Sequence, residues 1–217
     1  MIIVENDRLE VESELFAGGF GCPDCSGVLR PWGSARRRVL RCAVGEVWRR
    51  PRRGRCVGCR RTHVLLTQDS LSRRRDEVEV IGAALVAKVA GDGHRRAAEK
   101  VGVPAATVRG WFRRFAANAE AIRVWFTVLA HGLDPVLGPI SPTGSKVGDA
   151  VEAIAVAARA AAVRLGVLAP WQFAVRGSRG GLLSNTSCPW APVMRSGIVA
   201  VPPCWRCPKR GPDCEKR

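Results

Sequence analysis

Four of the nine cysteines in this chain fall in two C-x-x-C steps, Cys22-Pro-Asp-Cys25 and Cys56-Val-Gly-Cys59, separated by thirty residues. Two thiolates three residues apart in a tight turn can face one metal ion. Two such turns complete a tetrahedral shell of sulfur, the preferred environment of structural zinc. The intervening segment has room for a hairpin, and Gly58 suits a knuckle whose backbone amides turn toward the sulfurs. Four thiolates leave no open coordination position, so Zn2+ at Cys22, Cys25, Cys56 and Cys59 would be structural rather than catalytic. Cys42 lies between the knuckles and reads as a packed thiol. His63 follows the second knuckle and reads as a surface or strand residue, not a fifth ligand.

A second pattern occupies residues 94–115, HRRAAEKVGVPAATVRGWFRRF. Ala98 is small where two helices would cross. Gly102, four residues on, falls where a turn favours positive φ. Val101 and Val103 flank it as apolar plugs, and Val108, Trp111 and Phe115 recur at helical spacing. This is the pattern of a helix-turn-helix. It leaves Ala105, Ala106, Thr107, Arg109, Gly110, Arg113 and Arg114 facing outward. Thr107, Arg109 and Arg113 are candidates for base edges in a major groove. Arg95, Arg96 and Arg114 are placed for phosphates.

Charge supports an anionic partner. Lys and Arg number 35 against 19 acidic residues, a formal net charge of +16, and thirty of the cations are Arg. The charge is concentrated: residues 22–75 carry +12, and between Arg30 and Arg61 twelve Arg face one carboxylate, Glu46. Double-stranded DNA is the partner this favours, and acidic small molecules are a poor second. Arg52 in this stretch represents the phosphate contacts that the ribbon would supply, while Arg36 and Arg37 could instead read bases from a ribbon loop. The hydrophobic fraction of 47% excludes a wholly disordered basic tail.

The run Cys22-Pro-Asp-Cys25, then Trp32-Gly33 among basic residues, then Arg55-Cys56-Val-Gly-Cys59-Arg60-Arg61-Thr62 resembles the zinc ribbon heading many bacterial insertion-sequence transposases. With the helices that follow, the resemblance covers roughly residues 18–120. It is nearest to an uncharacterised bacterial family of zinc-ribbon plus helix-turn-helix proteins that lack the transposase nuclease. It implies a DNA-binding protein, a transcriptional regulator or mobile-element accessory.

The elements that must position these residues follow from local pattern. Ile2 to Val4 predicts a short strand, and Asp7 a cap for a helix ending near Phe16. Val28–Leu29, Val39–Leu40, Val44–Val47 and Val64–Leu66 are short β-prone runs, none able to build a core alone, so the ribbon needs the metal as a staple. Asp69 to Arg75 reads as a polar linker. Asp76 reads as the N-cap of a helix carrying Val78, Ile81, Leu85 and Val89. Gly91-Asp92-Gly93 turns into a helix from about His94 to Lys100, and Pro104 opens another through Phe115 or a little beyond. A buried helix over Ala119 to Ala130, a Pro- and Gly-rich linker from Gly132 to Ser145, and an amphipathic helix with Val151, Ile154, Ala158, Leu165 and Leu168 complete the pattern. Beyond Pro170 no periodicity survives.

The fold expected is α+β and mostly α. Residues 1–21 form a strand and helix segment, 22–72 the ribbon and 74–131 the helix-turn-helix bundle. Residues 132–187 are linker and amphipathic helix, and 188–217 a disordered Cys/Pro/Arg-rich tail in which Cys188, Cys204, Cys207 and Cys214 could form a second zinc site.

Several functions are disfavoured. A transposase needs carboxylates that bind two metal ions on a β-rich scaffold. After residue 131 only Asp134, Asp149, Glu152, Asp213 and Glu215 remain, with no such scaffold. Asp149 and Glu152 read as solvated charges on a helix. No phosphate-binding Gly loop or nucleophile arrangement appears, so a non-enzyme is expected. A truncated or atypical transposase and an RNA-binding zinc ribbon are the alternatives. A helix-turn-helix argues against RNA, whose deep, narrow A-form groove excludes such a helix. No targeting segment or membrane span is legible, and the chain reads as cytoplasmic and nucleoid-associated. The partner expected is DNA, with a homodimer compatible with it and neither membrane nor small-molecule substrate.

Overall fold

In the computed structural model, which describes residues 1–184, the chain is α+β, with six helices that take up slightly under half of the described residues. Strand β1 (Ile2–Val4) leads to helix α1 (Arg8–Ala17), whose N-terminus is capped as expected: Asp7 Oδ1 accepts from the Leu9 amide at 2.7 Å. Gly18, at φ +80°, ends the helix in the left-handed region. Five strands follow: β2 (Leu29–Ser34), β3 (Arg38–Cys42), β4 (Gly45–Arg49), β5 (Arg52–Cys56) and β6 (Thr62–Thr67). They form a four-stranded sheet in the order β1-β6-β5-β2 and a separate hairpin, β3-β4. β1 is parallel to β6 and forms one edge of the four-stranded sheet.

β5, with sequence Arg-Arg-Gly-Arg-Cys, has no apolar alternation and yet lies inside the sheet, paired to β2 and β6. Gly54 lets α1 sit close, since a Cβ there would come within 3.2 Å of Leu29 and 3.3 Å of Leu15. One face of the sheet thereby buries Val4, Leu29, Cys56 and Leu65 against Val11 and Leu15, with Phe20 and Cys22 completing a small core.

The hairpin, with Val39 opposite Trp48 and Leu40 opposite Val47, docks on residues 69–77. The Arg41 amide donates to the Arg75 carbonyl at 2.7 Å, and the Glu77 amide to the Arg41 carbonyl at 2.8 Å. Arg41 pairs with Asp76 at 2.7 Å and Arg49 with Asp69 at 2.9 Å. The expectation of a polar linker over 69–75 is therefore corrected: Asp69, Ser70 and Leu71 are buried. Their polar groups are supplied by the hairpin's guanidinium groups and by the hydroxyls of Thr67 and Ser70, which donate to Asp69. Asp76 is not an N-cap either. Helix α2 (Val78–Val89) begins after Glu77 without a side-chain cap bond, because the Asp76 carboxylate is turned to Arg41. Burial pushes the pKa of Asp76, Glu77 and Glu79 up.

Helices α3 (His94–Val101), α4 (Ala105–Leu133), α5 (Lys146–Leu165) and α6 (Pro170–Gly177) complete the chain. The two helices anticipated over 104–130 are one helix of 29 residues. Nothing between them breaks the backbone, and one stripe stays buried throughout: Val108, Trp111, Phe115, Ala119, Ile122, Phe126, Leu129 and Leu133. α5 buries the small residues Ala150, Ala153, Ala157 and Ala161 together with Ile154 in the same core, which contains both helices. α6 lies where no periodicity was legible. Pro170 occupies its first turn, and Trp171, Phe173, Ala174 and Val175 are buried. Gly82 of α2 and Gly177 of α6 are contact points: a Cβ at Gly82 would overlap the Trp171 indole, and one at Gly177 would come within 2.8 Å of Phe126. The tail, with its expected disorder and the candidate second zinc site, lies outside the described residues.

Candidate metal centre and basic surface

The two C-x-x-C steps form matching knuckles. In the first, the Cys22 amide donates to the Gly27 carbonyl at 2.7 Å and the Ser26 amide to the Cys22 carbonyl at 2.8 Å. In the second, the Cys56 amide donates to Arg61 at 2.9 Å and the Arg60 amide to Cys56 at 3.1 Å. Ser26 and Arg60 occupy the same place in each and both have left-handed φ, 61° and 63°. The Val57 amide donates to the Val28 carbonyl at 3.0 Å, which stitches one knuckle to the other. The glycine the site depends on sterically is Gly27, where a Cβ would lie 3.1 Å from Cys56 Sγ. At Gly58 the nearest sulfurs are at 3.8 Å, an ordinary contact.

The sulfurs of Cys22, Cys25, Cys56 and Cys59 lie within 4.8 Å of one another, with Cys22 to Cys59 at 3.6 Å and Cys25 to Cys56 at 3.4 Å. A tetrahedral shell with metal–sulfur bonds of about 2.3 Å spaces its sulfurs about 3.8 Å apart, so the four fit one metal ion. Cys22 and Cys56 are buried, and Cys25 and Cys59 are at the surface. Their acidities diverge. The Gly27 amide, then the neighbouring sulfurs, lower Cys25 to about 6. The Arg61 backbone favours the Cys59 thiolate, but desolvation and the other three sulfurs outweigh it and push Cys59 up to about 12. Four sulfurs at this spacing cannot all carry negative charge unaided, and a divalent cation removes that conflict.

Two further residues belong to this centre. His63 does sit on a strand, but buried and turned inward, with Nε2 3.3 Å from Cys22 Sγ. With its proton on Nε2 the ring donates to that sulfur. Burial lowers its pKa, which keeps it neutral. Asp24, inside the first knuckle, pairs with Arg61 just past the second at 3.0 Å. The alternation of β6, with His63 and Leu65 on one face, is the signal that could have turned His63 inward. Cys42 lies in the hairpin and donates to the Gly45 carbonyl at 3.3 Å, outside the four-sulfur group.

The α3–α4 region places the remaining candidates. Gly102 has φ +64° and its amide donates back into α3. Ala98, Val103, Val108, Trp111 and Phe115 are buried. Arg95, Arg96, Arg109 and Arg113 are exposed, and Thr107 and Arg114 half-buried. Arg109 and Arg113 stand one turn apart on α4. Arg96 also pairs with Asp92 at 3.3 Å, and Arg114 folds over Gly110.

Not all the ribbon arginines face solvent freely. Arg52 is held by Glu12 at 2.6 Å and by Ser34, which takes it out of the role of a phosphate contact. Arg41, Arg49 and Arg61 are paired as described above, whereas Arg36, Arg37, Arg50 and Arg60 are exposed. Arg37 stacks over Trp48 at 4.2 Å, and Arg55 over Trp32 at 4.4 Å. Among the described residues no helix is long and apolar enough to cross a membrane. No known family, curated protein or solved structure matches this chain.

Proposed function

We propose that this protein is a non-enzymatic DNA-binding protein, with a structural zinc ion in the ribbon and α3–turn–α4 as a helix-turn-helix that reads duplex DNA. Zinc is the ion that four thiolates suit best: it tolerates the soft donors, accepts tetrahedral geometry without ligand-field preference, and closes the shell. The observation that carries the DNA reading is the start of α4. Val108, Trp111 and Phe115 anchor it inward while Arg109 and Arg113 point outward after a left-handed glycine turn. Small neighbours, Ala105 and Ala106, let this end enter a major groove, where Arg pairs bidentately with guanine. Arg95 and, across the ribbon, Arg36 and Arg60 supply charge to phosphates. The binding-protein reading is supported by what the helical carboxylates already do. Asp149 accepts from the Thr143 amide and hydroxyl at 2.6 and 2.8 Å, and Glu152 pairs with Arg159 at 3.0 Å. The role would be that of a transcriptional regulator or mobile-element accessory.

Selection of bound sequences from random duplex DNA, run beside a random RNA pool, tests it. Enrichment of a duplex motif is expected. Enrichment from the RNA pool alone would overturn the helix-turn-helix reading.

A further inference from the structure

Between the β1–α1 turn and the β4–β5 connection lies a cleft of about 170 Å³ that neither the metal centre nor the α3–α4 region uses. Its floor is apolar, from Val4, Val11 and Leu65, and one wall is Trp48. Asn6, Arg8 and Arg50 stand at its rim, all three exposed. Trp48 is 55% exposed, too much for a core residue. Its indole is nonetheless held in place, by pairing of its strand position with Val39 and by the Arg37 guanidinium stacked at 4.2 Å.

The other charges around the cleft are already matched: Arg49 by Asp69, Arg52 by Glu12, and Glu5 by Arg176. Arg8 and Arg50, among the described residues, have no ion-pair partner. The cleft therefore offers an aromatic wall, an apolar floor, an amide able to donate and accept, and two uncommitted cations. Such a lining disfavours a bare hydrated anion, which gains nothing from the floor, and a purely apolar ligand, which leaves the cations unused. It suits a flat heteroaromatic ring bearing a phosphate.

We propose that this cleft receives one unpaired nucleotide of a nucleic-acid strand, its base stacked on the face of Trp48 opposite Arg37 and its flanking phosphates met by Arg8 and Arg50. The proposal rests on the nucleic-acid reading above and adds a second mode of contact to it. A base inside a duplex is stacked on both faces and cannot enter a recess of this size, whereas an unpaired base has a free face. Charge complementarity points to a strand, because Arg8 and Arg50, both exposed, stand on the cleft from two separate segments and can meet successive phosphates.

The test uses the full-length protein with its metal and three probes: a short labelled thymidine oligomer, the same oligomer fully paired in a duplex, and free thymidine monophosphate as competitor. Trp48→Ala should weaken the single strand about tenfold or more and leave the duplex nearly unchanged, while Trp48→Phe keeps most of the affinity. Circular dichroism and metal content confirm that both variants fold. Equal losses on strand and duplex, or none, overturn the proposal. Displacement of the strand by the monophosphate at comparable concentration assigns the cleft to a free nucleotide and overturns the strand. A wild-type protein that binds duplex but no single strand defeats the cleft alone. One that binds neither defeats the DNA reading as well.

Discussion

Removing the metal should unfold one part of this protein and spare the other. The core beneath the four-stranded sheet consists of Val4, Val11, Leu15, Phe20, Cys22, Leu29, Cys56 and Leu65, of which two, Cys22 and Cys56, belong to the four-sulfur group. A core this small supplies about 3–5 kcal/mol at best, against an apparent contribution of about 10–16 kcal/mol from a structural zinc. Without the ion, four crowded thiols replace the anchor and the ribbon loses most of its driving force. The helical core is a separate cluster that, among the described residues, contains no cysteine. Of the helices, α1 contributes 10 residues to the ribbon, while α2 to α6 contribute 12, 8, 29, 20 and 8. Chelation should therefore remove about a tenth of the far-ultraviolet helical signal, with amide exchange rising over residues 1–67 and staying slow in α4 and α5. Cys22→Ser should reproduce this without chelator. Cys42→Ser, whose hydroxyl can take over the thiol's exposed bond to the Gly45 carbonyl, should leave the four-sulfur group intact and cost about 1 kcal/mol or less. Protein purified without chelator that contains no metal, or a chelated ribbon whose exchange is unchanged, would refute the reasoning.

Gly82→Ala would ordinarily stabilise a mid-helix site by about 1 kcal/mol. Here the added methyl meets the Trp171 ring, so a net loss of about 1–2 kcal/mol is expected by thermal unfolding, and a gain in the Trp171→Leu background. Asp92 has its pKa lowered by the hydrogen bond from Lys100, with the charge of Arg96 adding to it. A lowered folded pKa means stability that is present above the ordinary aspartate pKa and lost as pH falls through the folded one. Asp92→Asn should thus melt below wild type at neutral pH, and the gap should close below a pH of about 4; a gap independent of pH would exclude the ion pairs as its source. Arg109→Ala should cost roughly 1–3 kcal/mol on the preferred duplex and less on random DNA. Arg36→Ala should weaken both alike and reduce the salt slope by about 0.9. Titrations at several salt concentrations separate the two, and equal losses for Arg109→Ala would remove α4 from sequence reading.

The cysteine spacing, the left-handed glycine at position 102, the inward stripe of Val108, Trp111 and Phe115, and the Asp7 cap were all legible in the sequence. Each depends on residues a few positions apart, whose geometry the backbone itself sets. β5 was not legible, because a central strand of arginines is dictated by its two neighbours and by Gly54 beneath α1 rather than by any pattern of its own. The fates of Asp69 and Asp76 were likewise hidden: a carboxylate that could cap a helix locally was claimed by Arg41, a partner distant in sequence, and burial made that pairing the stronger demand. Arg52 looked like surface charge until Glu12, forty residues away, came beside it. His63 gained its place beside Cys22 through the register of β6, and Trp48 came to face Val11 and Leu65 across a cleft that exists only once three separate segments meet. Local chemistry can be read along the chain, but which charges are spent internally and which remain for a partner is decided by long-range contacts, since only folding determines which groups lose their water.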